Sequence, residues 1–266
     1  MYLNTGERFS EVKLNSIQGD SAIMNNIPFA LQAYSLRQTF ADTPLKTMKS
    51  VKELGFSGIE FYGNFFKPAL CRALLEETGL VCCGWHTPIT DLEGENFGPT
   101  LERNLAVGNK FIVVPWFSAP TVDEWKKFAE RLNNAAEKLA PYGVRTGFHC
   151  HKHEFEAIDG QLPWNIVAAN TGENVVLQLD TGNAMSGGAD ILATLAAFPG
   201  RNQSIHWKPW SAKDGFKVPV GSDDQDWAAL LRWSTGAGRT EWIVLEYEAE
   251  DPIENIKRSM EYMQTL

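Results

Sequence analysis

The sequence predicts an α/β protein, built as a single (β/α)8 TIM barrel with a short N-terminal extension. Eight short β-rich runs alternate with eight longer amphipathic runs, and histidines and carboxylates gather where the β-rich runs end. A chain of 266 residues, 44% of them hydrophobic, is long enough for one such domain. We expect residues 1–25 to form the extension and residues 26–266 the barrel.

The predicted strands are short runs rich in β-branched and aromatic residues. In order they are residues 29–34, 58–62, 80–86, 110–115, 144–149, 175–180, 203–208 and 242–247. The predicted helices are residues 43–54, 68–78, 99–107, 122–140, 163–170, 189–198, 226–234 and 252–264. Thr121 and Glu124 form a capping box before the longest helix, and Gly55, Gly79 and Gly143 occupy expected left-handed C-caps.

The main alternative is a doubly wound open sheet. It is disfavoured because the first strand and the residues after it, FALQAYSLRQTF, contain no glycine for a phosphate-binding turn. The longest irregular stretch, residues 211–226, lies between the seventh strand and its helix, and we expect it to form a lid over the barrel mouth.

Composition argues against several classes of function. The net charge of -9 disfavours a nucleic-acid partner, which usually meets a basic patch. The sequence has neither an 18-residue apolar stretch nor the order of a signal peptide, so no membrane association is expected. Its four cysteines show no CxxC spacing or disulfide framework, which favours free thiols in a reducing compartment, and hence a cytoplasmic location.

The candidate site is formed by residues at strand ends, where a parallel barrel carries its chemistry. The chain places there His86, His149, His151, His153 and His206, together with Asp180 and Glu246. Because strand side chains alternate between faces, His149 and His151 share one face, as do His206 and Lys208. Four strands can therefore bring one ligand each to a common point.

We predict that His149, Asp180, His206 and Glu246 bind a metal ion. Two imidazoles and two carboxylates suit a divalent ion such as Mn, Zn, Fe or Co and leave coordination positions open for substrate. Alternation does not separate His149 from His151, but His149 lies nearer the apolar run and is the preferred ligand. Asp180 alone has a second interpretation, as the cap of the turn that follows it.

The remaining candidates are assigned to catalysis or to substrate binding. The catalytic candidates are Glu246, His151, Lys208 and Glu154. His151 suits an acid or base, and Lys208 either reaches a substrate oxygen or pairs with Asp180 or Glu246. Glu154 either holds a substrate hydroxyl or lies in a solvated loop. The candidates for substrate contact are Tyr34, Glu60, His86, Trp116 and Trp210, and such an aromatic-walled polar pocket suits a carbohydrate.

Several segments resemble the xylose isomerase-like TIM-barrel superfamily, whose members are usually called sugar phosphate isomerases/epimerases. The resemblance runs from about residue 29 to 266 and rests on LQAYSLR, VKELGFSGIEFYG, FHCHKHEFE, LQLDTGNA, IHWKPW and VLEYE. FHCHKHEFE resembles the HNHxxEF signature of one branch of the superfamily. The 26 residues between Asp180 and His206 match one βα unit.

The resemblance implies one divalent metal, most often Mn with Zn, Co, Fe or Mg possible, bound by His149, Asp180, His206 and Glu246. It also implies a small keto-sugar or polyol substrate, an isomerase or epimerase reaction through an enediolate-type intermediate, and a possible homo-oligomer. Ketose 3-epimerases of the superfamily use paired glutamates, but this chain has His149 at the strand-5 position. It also has Pro209 where the strand-7 motif usually has aspartate.

Three other functions stay open at this stage. The HNHxxEF branch resembles enzymes that act on 3-keto-glycosides or inosose, so a lyase, dehydratase or hydrolase of related mechanism is the first. A non-catalytic carbohydrate-binding barrel is the second. An abasic-site endonuclease of the same superfamily is the third, and the acidic composition disfavours it.

Overall fold

Eight parallel strands form a barrel in the computed structural model, which describes residues 27–64 and 66–266. They are β1 (Phe29–Gln32), β2 (Gly58–Tyr62), β3 (Val81–His86), β4 (Phe111–Val114), β5 (Arg145–His149), β6 (Val175–Gln178), β7 (Ser204–Trp207) and β8 (Trp242–Leu245). Their order is β6-β5-β4-β3-β2-β1-β8-β7. A parallel bridge between Asp180 and His206 joins β6 to β7 and closes the barrel. The predicted fold is confirmed, whereas the extension at residues 1–25 lies outside the described residues.

Helices between the strands form the outer layer. They are α1 (Arg37–Asp42), α2 (Pro44–Glu53), α3 (Pro68–Thr78), α4 (Phe97–Ala106), α5 (Val122–Leu139), α6 (Pro163–Asn170), α7 (Thr181–Ser186), α8 (Ile191–Ala196), α9 (Trp227–Thr235) and α10 (Pro252–Met263). The eight predicted helices are present with small shifts at their ends. The short helices α1 and α7 were not predicted.

The predicted helix signals act as expected. The Thr121 side chain accepts a hydrogen bond from the Glu124 backbone N–H and caps α5. Gly79 and Gly143 have φ of +64° and +67°, and Gly55 has φ of +100°. These left-handed conformations end a helix and turn the chain into the next strand.

The barrel has two apolar regions, one outside the strands and one within. Outward-facing strand residues such as Phe148 and Leu245, and Tyr247 just after β8, pack into the main core under the helices. Inside, near the amino ends of the strands, lie Ala30, Cys83 and Val244 and, beside them, Phe111, Val113 and Val176, with Trp242 packed against both groups. We call these seven residues the lower plug.

Two glycines make room for large groups inside the barrel. A Cβ on Gly58 would lie 2.7 Å from the Trp242 ring, and a Cβ on Gly84 would lie under 3.0 Å from Glu60 Oε1. The barrel interior therefore has no room for a further side-chain atom at either glycine. The Trp242 ring fills the space beside Gly58, and the Glu60 carboxylate fills the space beside Gly84.

The long loop after β7 reaches the barrel mouth. Ser211 and Gly215 form a small antiparallel bridge, and residues 214–217 of this loop line the cavity above the strands. This is the segment expected to form the lid, and its closure over a ligand stays a prediction. Among the described residues, none of the helices combines the length and apolar character needed to cross a bilayer.

Candidate metal centre and active site

Four side chains with metal-binding atoms meet at the carboxyl end of the barrel. They are His149 of β5, Asp180 after β6, His206 of β7 and Glu246 after β8. All four are buried, and one nitrogen or oxygen atom from each lies within 4.8 Å of the others. The sequence placed one of these residues at each of four strand ends, and the fold brings them together. Of the two strand-5 histidines, it is His149, not His151, that lies in this cluster.

His206 lies between two carboxylates. Its Nδ1 is 2.6 Å from Glu246 Oε2, and its Nε2 is 2.6 Å from Glu60 Oε2. Burial alone would lower the pKa of His206, but the charge of Glu60 and hydrogen bonds with both carboxylates outweigh it and raise the pKa to about 10. The imidazole therefore carries one N–H for each carboxylate in this arrangement.

Asp180 has one oxygen in use and one without a partner. Oδ1 accepts a hydrogen bond of 2.7 Å from the Asn183 backbone N–H and caps α7, as its second interpretation predicted. Oδ2 is buried without a hydrogen-bond partner, 3.8 Å from His206 Nδ1 and 4.0 Å from His149 Nε2. Burial raises the pKa of Asp180, and the charge of Lys208 opposes this only in part.

The cluster fits a divalent cation. A buried carboxylate oxygen without a donor costs free energy, and a cation supplies the positive partner that Asp180 Oδ2 lacks. Burial, followed by the neighbouring histidines, lowers the pKa of His149 well below its usual value, so this imidazole is in the neutral form that binds metals. A cation here would replace the Nδ1 proton that His206 shares with Glu246.

Glu60 lies one layer below the cluster and is fully buried. It accepts hydrogen bonds from Gln32 Nε2 at 2.7 Å and from Gln178 Nε2 at 2.9 Å, and it is 3.1 Å from His86 Nε2. Burial would raise the pKa of Glu60, but His86 and His206 hold it well below its usual value. Glu60 contacts the imidazoles of His86 and His206 and is not among the residues that line the cavity; its expected substrate contact stays a prediction.

Gln178 connects the layer of Glu60 to the histidines above it. Its Oε1 is 2.9 Å from His86 Nε2 and 3.0 Å from His149 Nδ1. Neither Gln178 nor Gln32 was among the predicted residues. The signal for both was present, since each is a polar residue at an inward position of an otherwise apolar strand.

An open cavity of about 730 Å³ lies above the cluster. Its wall includes Tyr34, Tyr62, Trp116 and Phe216, with His86 and His149 at its base. The Tyr34 and Tyr62 rings meet edge to face with their centroids 5.1 Å apart. Trp116 is 57% exposed and thus presents a broad free aromatic surface to the cavity. Tyr34, His86 and Trp116 all line this cavity, and their contact with substrate stays a prediction.

Trp210 does not line this cavity, although residues 214–217 of the loop that follows it do. The Trp210 carbonyl accepts a hydrogen bond from the Asp224 N–H, and its expected contact with substrate stays a prediction. Sequence position alone put Trp210 near a strand end, and it gave no information on the path of the irregular loop that follows.

Lys208 lies at the edge of the cluster and pairs with two carboxylates. Its Nζ is 3.2 Å from Glu246 Oε1 and also contacts Glu248 Oε1. Burial alone would lower the pKa of Lys208, but Glu246, Asp180 and Glu248 together raise it above its usual value. Glu248 was not predicted, although its spacing of two from Glu246 puts both carboxylates on one side of an extended chain.

His151 and Glu154 occupy the short 3-10 turn after β5. His151 lines the cavity, with its ring centroid 4.7 Å from that of Trp116. Its buried Nδ1 faces the Glu154 N–H in a capping-box arrangement without making a full hydrogen bond. Burial lowers the pKa of His151 to about 4, so the ring is neutral at pH 7 and able to accept a proton.

Glu154 is buried rather than solvated, and it does not line the cavity. Its Oε2 accepts a hydrogen bond of 2.8 Å from the His151 backbone N–H. Its Oε1 is 3.1 Å from His153 Nε2, but that nitrogen makes its hydrogen bond with the Phe117 carbonyl. Burial raises the pKa of Glu154 to about 8. Through its hydrogen bond with the His151 N–H, Glu154 holds the turn that carries His151, and its catalytic role stays a prediction.

Comparison with known proteins gives matches over most of the chain. A family model described as xylose isomerase-like TIM barrel matches residues 48–266. The rhizopine catabolism protein MocC of Rhizobium meliloti is 25% identical over 252 residues, which cover 79% of this chain and 76% of that protein.

Solved structures with the same fold cover nearly the whole chain. A sugar phosphate isomerase/epimerase from Parabacteroides distasonis ATCC 8503 has a TM-score of 0.80 at 18% identity, covering 93% of this chain and 99% of that one. The 3-keto-D-glucoside 4-epimerase YcjR from E. coli has a TM-score of 0.67 at 19% identity, covering 91% and 100%.

Proposed function

The chain belongs to the xylose isomerase-like TIM barrel family, and from this premise we propose that it is a divalent-metal-dependent sugar isomerase or epimerase. Its substrate is a keto-sugar or sugar derivative that reacts through an enediolate-type intermediate. The observation that carries the proposal is the buried cluster of His149, Asp180, His206 and Glu246 at the floor of an aromatic-walled cavity. Manganese is the preferred cation, with Zn, Co, Fe or Mg as alternatives.

A bound divalent cation would polarise a substrate carbonyl oxygen and so make the neighbouring C–H more acidic. The chain supplies the groups that move the proton. His151 is neutral and faces the cavity, so it can take a proton from a substrate carbon and return it. The Lys208 ammonium, held by Glu246 and Glu248, can donate to a substrate oxygen, and Glu246 borders both the cluster and the cavity.

The cavity suits a carbohydrate in size and in chemistry. A volume of about 730 Å³ is within the range of small-molecule sites. Tyr34, Tyr62 and Trp116 can stack on the C–H faces of a sugar, while His86 and Asn183 provide polar atoms at the base and rim. A fold shared with a 3-keto-D-glucoside 4-epimerase is compatible with a keto-sugar substrate.

A lyase or dehydratase on 3-keto-glycosides or inosose is the second candidate, and a hydrolase on the same substrates follows the same reasoning. The observation that favours it is His149 at the strand-5 position, where the paired-glutamate epimerases of the superfamily carry one of their acid–base groups. Without that carboxylate, the Lys208 ammonium can donate a hydrogen bond to the oxygen of a leaving group on the carbon next to the carbanion. Product analysis separates the two classes of reaction. Elimination or hydrolysis releases a group from the sugar and changes its mass, whereas epimerisation only inverts one carbon centre and keeps the mass.

The test of the metal site is metal content by mass spectrometry on protein purified without added metal. We expect about one equivalent of a transition metal in the wild type and none in His206→Ala. Lys257→Ala, an exposed change on α10, is the matched control and should keep the wild-type content. Absence of metal from the wild type even after Mn is supplied would overturn the proposed site.

The test of turnover uses a panel of keto-sugars and 3-keto-glycosides in deuterated water. An isomerase or epimerase incorporates deuterium at the carbon next to the carbonyl, and NMR detects the loss of that proton signal. No exchange at a saturating ligand concentration would identify a non-catalytic carbohydrate-binding barrel instead.

The cellular setting is also part of the proposal. Cys71, Cys82, Cys83 and Cys150 are all free and buried, which supports the expected cytoplasmic location. The net charge of -9 supports a small-molecule partner over a nucleic acid. Pairing of two barrels, which the resemblance implies, stays a prediction for light scattering to test.

A further inference from the structure

The amide of Gln178 determines which nitrogen of His149 carries a proton. Gln178 Nε2 donates to Glu60 Oε1 at 2.9 Å and to Ser204 Oγ at 2.8 Å, which uses both amide hydrogens. Its Oε1 faces the opposite way, 3.0 Å from His149 Nδ1 and 2.9 Å from His86 Nε2. Because an amide oxygen only accepts, both of those ring nitrogens must carry hydrogen. His149 is therefore left with an unprotonated Nε2.

Glu60 prevents the amide of Gln178 from turning over. A carboxylate has no hydrogen to donate, so Glu60 Oε1 requires the NH2 group of Gln178 as its neighbour. The reversed amide would place its oxygen against Glu60 and its NH2 group against the N–H groups of His86 and His149. Since Glu60 is fully buried, solvent cannot relieve that conflict.

Glu60 also orients His206. Its Oε2 is 2.6 Å from His206 Nε2, which makes that nitrogen the N–H donor and directs Nδ1 toward the cluster. Nδ1 of His206 is 3.8 Å from Asp180 Oδ2, and Nε2 of His149 is 4.0 Å from the same oxygen. The unpartnered oxygen of Asp180 thus faces one selected nitrogen of each imidazole.

We propose that Glu60 and Gln178 are positioning residues of the metal centre, and that they set the tautomers of His206 and His149. Glu60 acts directly on His206, and it acts on His149 through Gln178. Each imidazole then presents one nitrogen, Nδ1 of His206 and Nε2 of His149, to the cation. Carboxylates and carbonyl oxygens that hold the far side of a ligating imidazole tune metal sites in this way. The inference rests on the proposed metal site.

Gly84 is the structural reason that the carboxylate fits there. A Cβ at this position would lie under 3.0 Å from Glu60 Oε1, so the strand β3 backbone passes directly against the carboxylate. The position of Glu60 is thereby restricted on the β3 side, while Gln32 holds its other oxygen at 2.7 Å. A group held from several strands can fix the orientation of its neighbours.

The first experiment measures the affinity of the metal-free protein for Zn²⁺ and Mn²⁺ by titration calorimetry. We expect Gln178→Leu and the isosteric Glu60→Gln to bind each metal about 10- to 100-fold more weakly than the wild type. Thr146→Val is the matched control, because it also removes a buried hydrogen bond, from Thr146 Oγ1 to the Ile112 carbonyl, on the neighbouring strand β5. Its affinity should equal that of the wild type. Glu60→Gln preserves shape and serves if Gln178→Leu fails to fold.

The second experiment reads the tautomers directly by long-range ¹H–¹⁵N NMR of the imidazoles, in the metal-free and Zn-loaded protein. We expect hydrogen on Nδ1 of His149 in both forms of the wild type, and on Nε2 of His206 in the Zn-loaded form. Gln178→Leu should mix the two tautomers of His149, whereas Thr146→Val should not.

The outcomes separate this inference from the function on which it rests. Wild-type protein that binds neither metal would overturn the metal site itself. A wild type that binds metal, with unchanged affinity and an unchanged His149 tautomer in Gln178→Leu and Glu60→Gln, would overturn only the positioning role.

Discussion

The two halves of the barrel interior differ sharply in chemistry. Near the amino ends of the strands, the lower plug is apolar and needs no specific partners. Near the carboxyl ends, the interior is a polar layer made of Gln32, Glu60, His86, His149, Gln178, Asp180, His206 and Glu246. Apart from the partly buried Trp242, the residues of both halves are buried, so burial does not distinguish them. What distinguishes them is that each side chain of the polar layer must be matched by a partner of the right kind.

The polar layer meets that requirement almost completely. Within the polar layer, Asp180 Oδ2 is the one buried side-chain nitrogen or oxygen atom without a hydrogen-bond partner. The lower plug stabilises the fold through apolar packing, which does not depend on matched partners. The polar layer fixes the orientation of the candidate site through matched hydrogen bonds. Changes in one half should therefore be separable from changes in the other.

The largest expected effect is on turnover and comes from the polar layer. Glu246→Gln removes a proposed metal ligand and the partner of both His206 and Lys208, and we expect activity to fall on the order of 10²- to 10⁴-fold. Circular dichroism should show an intact fold. Glu241→Gln is the control and should keep full activity. Glu241 is an exposed carboxylate just before β8, and it pairs with Arg145. An unchanged rate in Glu246→Gln would remove this residue from the mechanism.

The corresponding change in the lower plug should affect stability alone. Phe111→Ala leaves a cavity under the polar layer, and we expect the free energy of unfolding to fall by about 3–5 kcal/mol. Metal bound per folded molecule should stay the same, because Phe111 packs in the lower plug with Val113, Val176 and Trp242. Leu105→Ala, an exposed change on α4, is the control and should shift stability by less than about 0.5 kcal/mol. Loss of metal binding in folded Phe111→Ala would show that the two halves are not independent.

Gly84→Ala tests the boundary between the two halves. The added methyl would press on Glu60 Oε1, and we expect a loss of about 1–3 kcal/mol in stability together with weaker metal binding. Gly98→Ala in α4 is the matched control, since a Cβ there meets nothing within 4 Å, and it should be neutral or slightly stabilising. Thermal unfolding with and without Mn measures both effects, and an equal response of the two variants would refute the close contact at Gly84.

The smallest effect, measured per pH unit, concerns Glu154, which lies beside the polar layer. Burial raises its pKa from 4.5 to about 8, so the folded state binds a proton that the unfolded state releases between these values. Stability contributed by this group is therefore lost as pH rises from 4.5 to 8, by at most about 1.4 kcal/mol per pH unit. Glu154→Gln keeps the acceptor for the His151 N–H and should flatten that slope in urea unfolding. Glu156→Gln, an exposed change nearby, should leave the slope as it is.

The sequence predicted the parts of this molecule that follow a period. Alternation along each strand, with a histidine or carboxylate at the end, pointed to Asp180, His206 and Glu246, and the end of the apolar run favoured His149 over His151. Alternation gives the face of a residue but not its depth in the barrel, and Glu60 was therefore not placed in the layer below the ligands. Its depth depends on Gly84 of the next strand, a relation between strands that one strand's pattern does not contain.

Loops were the other limit of prediction. Trp210 and Glu154 lie beyond the last strand residues, where backbone direction depends on local turns and not on a repeat. Glu248 and Gln178 were within reach, because each continues an inward-facing series that already held a candidate residue. Polar residues at inward positions of apolar strands deserve the same weight as histidines when a site is sought in such a barrel.

The closure of the barrel passes through the candidate metal centre. Strands β6 and β7 are joined by the Asp180–His206 bridge instead of a continuous ladder. A cation held by these two residues would cross the same boundary and resist the transient opening of the barrel wall. Amide hydrogen exchange along β6 and β7 should then slow when metal is added, giving a measure of occupancy that requires no knowledge of the substrate.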